Sequence, residues 1–170
     1  ADYKMACLSR EASLLGRKEV FLGKARFGIF GDGKEAAQIA WAKAARKGDW
    51  RSGYYRDQTY MFALGELTLY QLFSQLYAHA NLEIEPHSGG RSMNVHFSSR
   101  SLNEDGSWKD LTEMYNTGAD MSCTGAQMPR LVGLAWASKL YRENPALHNK
   151  TTFSKGGHEV AWGTIGNGAT

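Results

Sequence analysis

Cysteine is scarce in this chain: Cys7 and Cys123 are the only two in 170 residues. Two cysteines this far apart make no disulfide framework and offer no paired spacing for a zinc site. A reducing, intracellular setting fits that usage. Long apolar runs are missing as well. No stretch reaches the roughly 18 residues of a membrane span, so no membrane crossing is expected. The opening "ADYKMACLSR" carries no signal-peptide pattern. Nor is there an excess of one charge. Twenty Lys and Arg face 17 Asp and Glu, a formal net charge of +3, and the basic residues are scattered. That excess is too small to predict nucleic-acid binding by counterion release. There is no internal repeat, no low-complexity segment and no nucleophile elbow. Ser122-Cys123-Thr124 has no adjacent His or acid that would complete a triad.

What is present reads as an ordinary globular chain, 42% hydrophobic and 22% charged, long enough for one domain or a piece of a larger one. Met5, Leu8, Leu14, Leu15 and Val20 to Leu22 recur near helical spacing and predict a helix over 3–24. A Gly-rich loop then leads to a helix over 34–46, ended by Gly48-Asp49. The stretch "RSGYYRDQTYMFALG" is aromatic and reads as irregular. "ELTLYQLFSQLYAHA" predicts an amphipathic helix over 66–79, with Leu67, Leu69, Leu72, Phe73 and Leu76 on its apolar side. Residues 81–125 are long, polar and without periodicity, and are expected to be extended and packed against another chain or domain. A helix over 129–142 opens with Pro129 near its first turn. A strand is expected to end near Ile165. It is the one confident strand, and one strand makes no sheet, so its partners are expected outside these 170 residues.

Several motifs admit two readings. Gly31-Asp32-Gly33 precedes a helix but lacks the third glycine of a dinucleotide fingerprint, and reads best as a helix-entry loop. Gly166-Asn167-Gly168 follows a strand, where α/β folds bind ligands. Its backbone N–H groups suit a phosphate and its Asn oxygen a hard cation. An Asn-Gly pair is equally a tight turn. In "GYYRDQ" an arginine sits beside two tyrosines. It suits a phosphate held bidentately or a solvated edge of an aromatic cluster. "HSGGRSMNVHF" has too few ligands for zinc. It reads better as a flexible loop bringing Met93 and His96 to a site, with His79 and His158 as bystanders.

Taken in order, "GKEAAQIA", "GYYRDQ", "SGGRSMNVHF", "TGAQMPRLVGLAWASKLYRE" and "TIGNGAT" resemble the alpha part of thiamine-diphosphate-dependent 2-oxo acid dehydrogenases. The resemblance covers nearly the whole chain and is closest to the branched-chain type, including bacterial forms with alpha and beta fused. It implies an α/β, three-layer thiamine-diphosphate-binding fold, present over 1–170 only as an N-terminal portion that stops in the cofactor loop. It implies thiamine diphosphate and Mg2+ (magnesium) as cofactors. The implied reaction is oxidative decarboxylation of a branched-chain 2-oxo acid, with the acyl group passed to a lipoyl acyltransferase. A pyruvate or acetoin dehydrogenase component, or a binding module that keeps only the fold, are the alternatives.

The resemblance also assigns roles. Tyr55 and Arg56 fall where the family grips the cofactor diphosphate. Gly166, Gly168 and Ala169 fall on the loop beneath it, with Asn167 as the metal ligand where the family often has Asp or Glu. Ser122 lies where a residue approaches substrate, and Thr124 where backbone supports the aminopyrimidine. Phe27, Met93 and His96 match positions lining the pocket for the 2-oxo acid tail, and His96 is also placed to donate to the substrate carboxylate. The implied partners are a beta-type dehydrogenase part, separate or fused, and a lipoyl acyltransferase core, in an oligomer of two alpha and two beta parts. No nucleic acid and no membrane is implied. The activating glutamate comes from the beta part, so these 170 residues alone are expected to be inactive. The implied location is bacterial cytoplasm, or the mitochondrial matrix in a eukaryote.

Overall fold

Helical spacing near the start does produce a helix, α1 (Asp2–Phe21), but burial does not follow its apolar residues. Leu14, Leu15 and Leu22 are exposed and Phe21 is 88% exposed. The buried face is Ser9, Ala12, Ser13 and Gly16. Small side chains let the helix axis come close to its neighbours, and polar ones must then find partners. They do: Ser9 Oγ and Thr59 Oγ1 lie 2.7 Å apart, and Gln58 Nε2 donates to Ser13 Oγ at 3.0 Å. At Gly16 any Cβ would overlap the Phe30 ring.

The structure, a computed structural model, describes residues 1–166, 168 and 169. It forms two compact units, one of Ala1–Ala44 with Tyr55–Phe97 and one of Ala45–Tyr54 with Ser98–Thr170. The first is helical: α1, then α2 (Glu35–Ala44), α3 (Gln58–Leu64) and α4 (Leu69–Leu76). Helix α3 occupies the stretch expected to be irregular. Its residues Gln58 to Phe62 are buried, so aromatic content there reflects packing on α1 and α2 and not a loop. Helix α4 starts on a capping box. Gln71 N–H donates to Thr68 Oγ1 at 3.2 Å, and Thr68 N–H donates to Gln71 Oε1 at 2.9 Å. Leu72 and Leu76 are buried and Leu69 is exposed.

The second unit contains a parallel sheet, which corrects the expectation of a single unpartnered strand. Strands β1 (Trp50–Ser52), β2 (Asn116–Gly118) and β3 (Ala161–Gly163) pair in the order β2-β1-β3. Trp50 is opposite Asn116 on one side and Ala161 on the other. Each strand is three residues long, too short to leave an alternation in the sequence. Helix α5 (Gln127–Glu143) packs on β1 and β3, with Val132, Trp136 and Leu140 exposed. Mixed helices and a parallel sheet make this an α/β fold, as expected. The polar stretch 81–125 is indeed poor in regular structure. It holds one 3-10 turn (Leu111–Glu113), the bridge between Leu102 and Trp108, and β2, which the sequence pattern does not suggest.

Within that stretch one buried carboxylate organises a turn. Glu85 is fully buried. It accepts N–H bonds from His87 (2.9 Å), Ser88 (2.9 Å) and Gly90 (3.0 Å), and the Ser88 hydroxyl at 2.7 Å. Burial pushes its pKa up, but the four donors together outweigh that and hold it below the ordinary value of 4.5.

Two stability outcomes are expected of the intact protein. A carboxylate with a lowered folded pKa contributes stability above its unfolded pKa and loses it as pH falls through the folded value. Glu85→Gln should therefore flatten the acid limb of a denaturant-stability profile below pH 4.5. A limb as steep as that of the native protein would count against it. Gly16→Ala should destabilise by about 1–3 kcal/mol through overpacking on Phe30. Leu15→Ala on the exposed face should stay within about 0.5 kcal/mol. Chemical denaturation of the two variants separates them.

Candidate functional site

Parallel strands run in one direction, so the segments leaving β1, β2 and β3 emerge from one edge of the sheet. That carboxyl edge is where α/β folds bind ligands. Here it is assembled by polar side chains. Arg51, the middle residue of β1, is 1% exposed and pairs with the wholly buried side chain of Asp120 through two bonds of 3.1 and 3.0 Å. Its Nη2 also donates to the Tyr54 carbonyl at 3.1 Å. Any side chain at Gly53 would collide with the Arg51 guanidinium. Ser52 Oγ donates to the Gln127 carbonyl at 2.8 Å, and Gln127 Nε2 donates to the Thr164 carbonyl at 2.8 Å. Arg130 in α5 donates to Ser52 Oγ at 2.8 Å and to the Ala119 carbonyl. Burial lowers the Arg130 pKa and Asp120 opposes that shift.

The segment between β2 and α5 carries Ser122 and Thr124, both exposed. The segment after β3 carries Gly166, Gly168 and Ala169. Gly166 is buried, and a Cβ there would lie 2.5 Å from the Tyr54 hydroxyl. Its lack of a side chain is therefore explained by Tyr54 alone. Ala169 N–H donates to the Gly166 carbonyl at 2.9 Å, the bond of a tight turn. Gly168 is exposed, with open space where a side chain would be. This unit thus brings Ser122, Thr124, Gly166, Gly168 and Ala169 to one sheet edge. Asn167, the expected metal ligand, lies outside the described residues. Among the described residues no cluster of three His, Cys, Asp or Glu could hold a metal ion.

In the helical unit, Phe27 and Met93 line one cavity of about 450 Å³ together with Lys24, Arg26, Gln75 and Arg91. Phe27 is 50% and Met93 39% exposed, so both offer apolar surface to it. The lining includes three cations and no carboxylate, although Glu19 approaches Lys24 at 3.4 Å. His96 is buried, and its ring is parallel to that of Tyr55 with centroids 5.8 Å apart. Asn94 anchors this strand of chain to the Phe27 segment. Its side-chain nitrogen donates to the Ile29 carbonyl at 2.6 Å, and its oxygen accepts from Ile29 N–H at 2.9 Å.

Arg56 tests whether a diphosphate suits this chain. Its backbone is fixed: the carbonyl accepts from Gln38 Nε2 at 2.8 Å and sits where Gly31 leaves no room for a side chain. Its Nε is buried without a hydrogen-bond partner. A buried guanidinium N–H left unpaired is costly, and a polyanion reaching the rest of this half-buried side chain would offset that cost. The residue fits the group. The loop Gly31 to Gly33 does not, because its anion is already present. Gly33 N–H donates to both oxygens of Glu35, at 3.1 and 2.9 Å, and Glu35 pairs with Arg10. The helix-entry reading holds there.

Sequence reasoning missed Arg51, Asp120, Gln127 and Arg130, which build the sheet edge. It also missed Gln75 and Asn94, which shape the pocket segment. None of the six announces its role through a local pattern. The one hint is that Gln75 falls on the face of α4 that also carries Leu72 and Leu76.

Comparison with known proteins agrees with this architecture. Residues 3–170 match the family described as Dehydrogenase E1 component. The chain is also similar to the 2-oxoisovalerate dehydrogenase subunit alpha of Bacillus subtilis (strain 168), at 33% identity over 135 residues. That alignment covers 79% of this chain and 35% of the relative, so the chain spans about a third of the relative's length. With its parallel sheet and a family match over nearly every residue, the chain belongs to the Dehydrogenase E1 component family.

Proposed function

We propose that this chain forms part of a thiamine-diphosphate-dependent dehydrogenase acting on branched-chain 2-oxo acids. The observation that carries the substrate class is the cavity of Phe27 and Met93. It pairs apolar surface with a rim of Lys24, Arg26 and Arg91 and has no carboxylate in its lining. A branched aliphatic tail removes apolar surface from water there, while a carboxylate is drawn by the cations. The similarity to a 2-oxoisovalerate dehydrogenase subunit supports the same substrate class.

Thiamine diphosphate, when bound, supplies the electron sink for loss of carbon dioxide. The chain's own residues bind and orient. Arg56 and Tyr55 would hold the diphosphate, with Gly166 and Gly168 on the loop beneath it and Ala169 closing that loop through its bond to the Gly166 carbonyl. Asn167 would give an oxygen to magnesium, and Thr124 would give backbone support to the aminopyrimidine. Ser122 and His96 address the substrate. A lipoyl acyltransferase would receive the acyl group, its lipoyl disulfide taking up the two electrons, and a beta-type part would complete the enzyme as a pair of alpha and a pair of beta parts.

Two outcomes test this in the intact enzyme. Arg56→Ala should weaken thiamine diphosphate binding by roughly one to two decades, from about 1.5–3 kcal/mol of charge-assisted bonding. The melting temperature of the cofactor-free protein should hardly change. An unchanged affinity in a cofactor titration at fixed magnesium would remove Arg56 from the site. For substrate, kcat/KM should favour 3-methyl-2-oxobutanoate over pyruvate by at least about tenfold, since each extra methylene in an apolar pocket contributes about 1–3 kcal/mol. A preference for pyruvate would transfer the reading to the pyruvate or acetoin class.

A further inference from the structure

Val95 is a β-branched residue with φ 60 and no solvent exposure. The left-handed region is unfavourable for such a side chain and persists only where the surroundings impose it. Gln75 imposes it. From the last turn of α4 it is itself buried, and its amide is used at both ends. Oε1 accepts from Val95 N–H at 2.6 Å, and Nε2 donates to the His96 carbonyl at 2.6 Å. These two bonds bracket the Val95–His96 peptide.

The bend has a chemical result. It places the Asn94 carbonyl 3.1 Å from His96 Nδ1. A carbonyl only accepts, so Nδ1 carries a proton in either charge state of the ring. The Tyr55 ring lies parallel to the imidazole, with centroids 5.8 Å apart. Were Val95 to relax to a negative φ, the Asn94 carbonyl would turn away and the ring would lose both its tautomer and its stack.

We propose that Gln75 is a positioning residue for His96, holding Val95 in its left-handed bend so that the imidazole is presented in a single tautomer. That this serves catalysis rests on the function proposed above. A purely structural Gln75 would satisfy two backbone groups, and its loss would loosen the unit generally.

The test is residue-resolved exchange of histidine C2 protons, read by mass spectrometry on the intact protein without cofactor or substrate. His87, packed edge-on against Phe97 in the same unit, is the control. Gln75→Leu should speed His96 exchange by about tenfold, as expected of local opening, and leave His87 within about twofold. Equal acceleration at both histidines, or none at His96, overturns the proposal. Should Gln75→Leu not fold, Gln75→Glu takes its place. An ionised carboxylate at that position still accepts from Val95 N–H but no longer donates to the His96 carbonyl, so the same selective acceleration is expected, and equal acceleration again overturns it. In turnover assays with 3-methyl-2-oxobutanoate, Gln75→Leu should lower kcat by about tenfold with KM within about twofold. A raised KM at constant kcat overturns the catalytic part. If the native protein turns over no 2-oxo acid while His96 exchange responds as expected, the functional reading fails and the positioning of His96 stands.

Discussion

The buried ion pair of Arg51 and Asp120 sets the geometry of the sheet unit. Removing two charges from water costs several kcal/mol per ion before their attraction is counted, so such a pair is poor as a source of net stability. Its value here is in placement. Arg51 is on the central strand, and Asp120 lies just past the end of β2. A two-pronged guanidinium bond admits one alignment of these segments. The third bond, to the Tyr54 carbonyl, extends that alignment to the chain leaving β1. Gly53 is then obligatory, and the Tyr54 ring in turn leaves Gly166 no room for a side chain. Gly166, which looks like part of a ligand loop in the sequence, is thus also an answer to Tyr54.

Strongly periodic elements were legible in the sequence. The helices beginning at Asp2, Glu35, Leu69 and Gln127 all fall near their expected spans, because each is long enough, or well enough capped, for a 3.6-residue repeat to stand out. Position was harder to read than type. In α1 the spacing of apolar residues announced the helix but not its buried face, which is made of serines, an alanine and a glycine. Close helix approach is decided by small side chains, which carry no hydropathy signal. Helix α3 was hidden because Gln58 to Phe62 are all buried, and an element buried all round loses its period. The strands were hidden by their length. Residues 50–52 and 116–118 mix Trp, Arg, Ser, Asn, Thr and Gly, a set that does not announce a sheet.

The candidate site was legible only where a motif carried it. The expected grouping of Phe27 with Met93 came from the resemblance, and the structure places both on one cavity, whose lining does not include His96; the stacking of His96 on Tyr55 was not anticipated. The polar residues that hold those groups in place were invisible. Gln75, Asn94 and Asp120 act through single carbonyls, amides or a guanidinium far away in sequence, and no local pattern encodes such a partner. Supporting residues of this kind are defined by the groups they satisfy.

The strand order β2-β1-β3 bears on how the chain comes to be folded. The central strand is the earliest in sequence, and both of its neighbours arrive much later: Trp50 must wait first for Asn116 and then for Ala161. Until then the centre of the sheet is two open edges. Closing loops of that length costs entropy before any pairing repays it, and nonlocal contacts of this kind slow folding. During synthesis the helices of the first unit can consolidate from residues 1–97 as they leave the ribosome. The sheet forms last, and Arg51 stays without its carboxylate until residue 120 has been made.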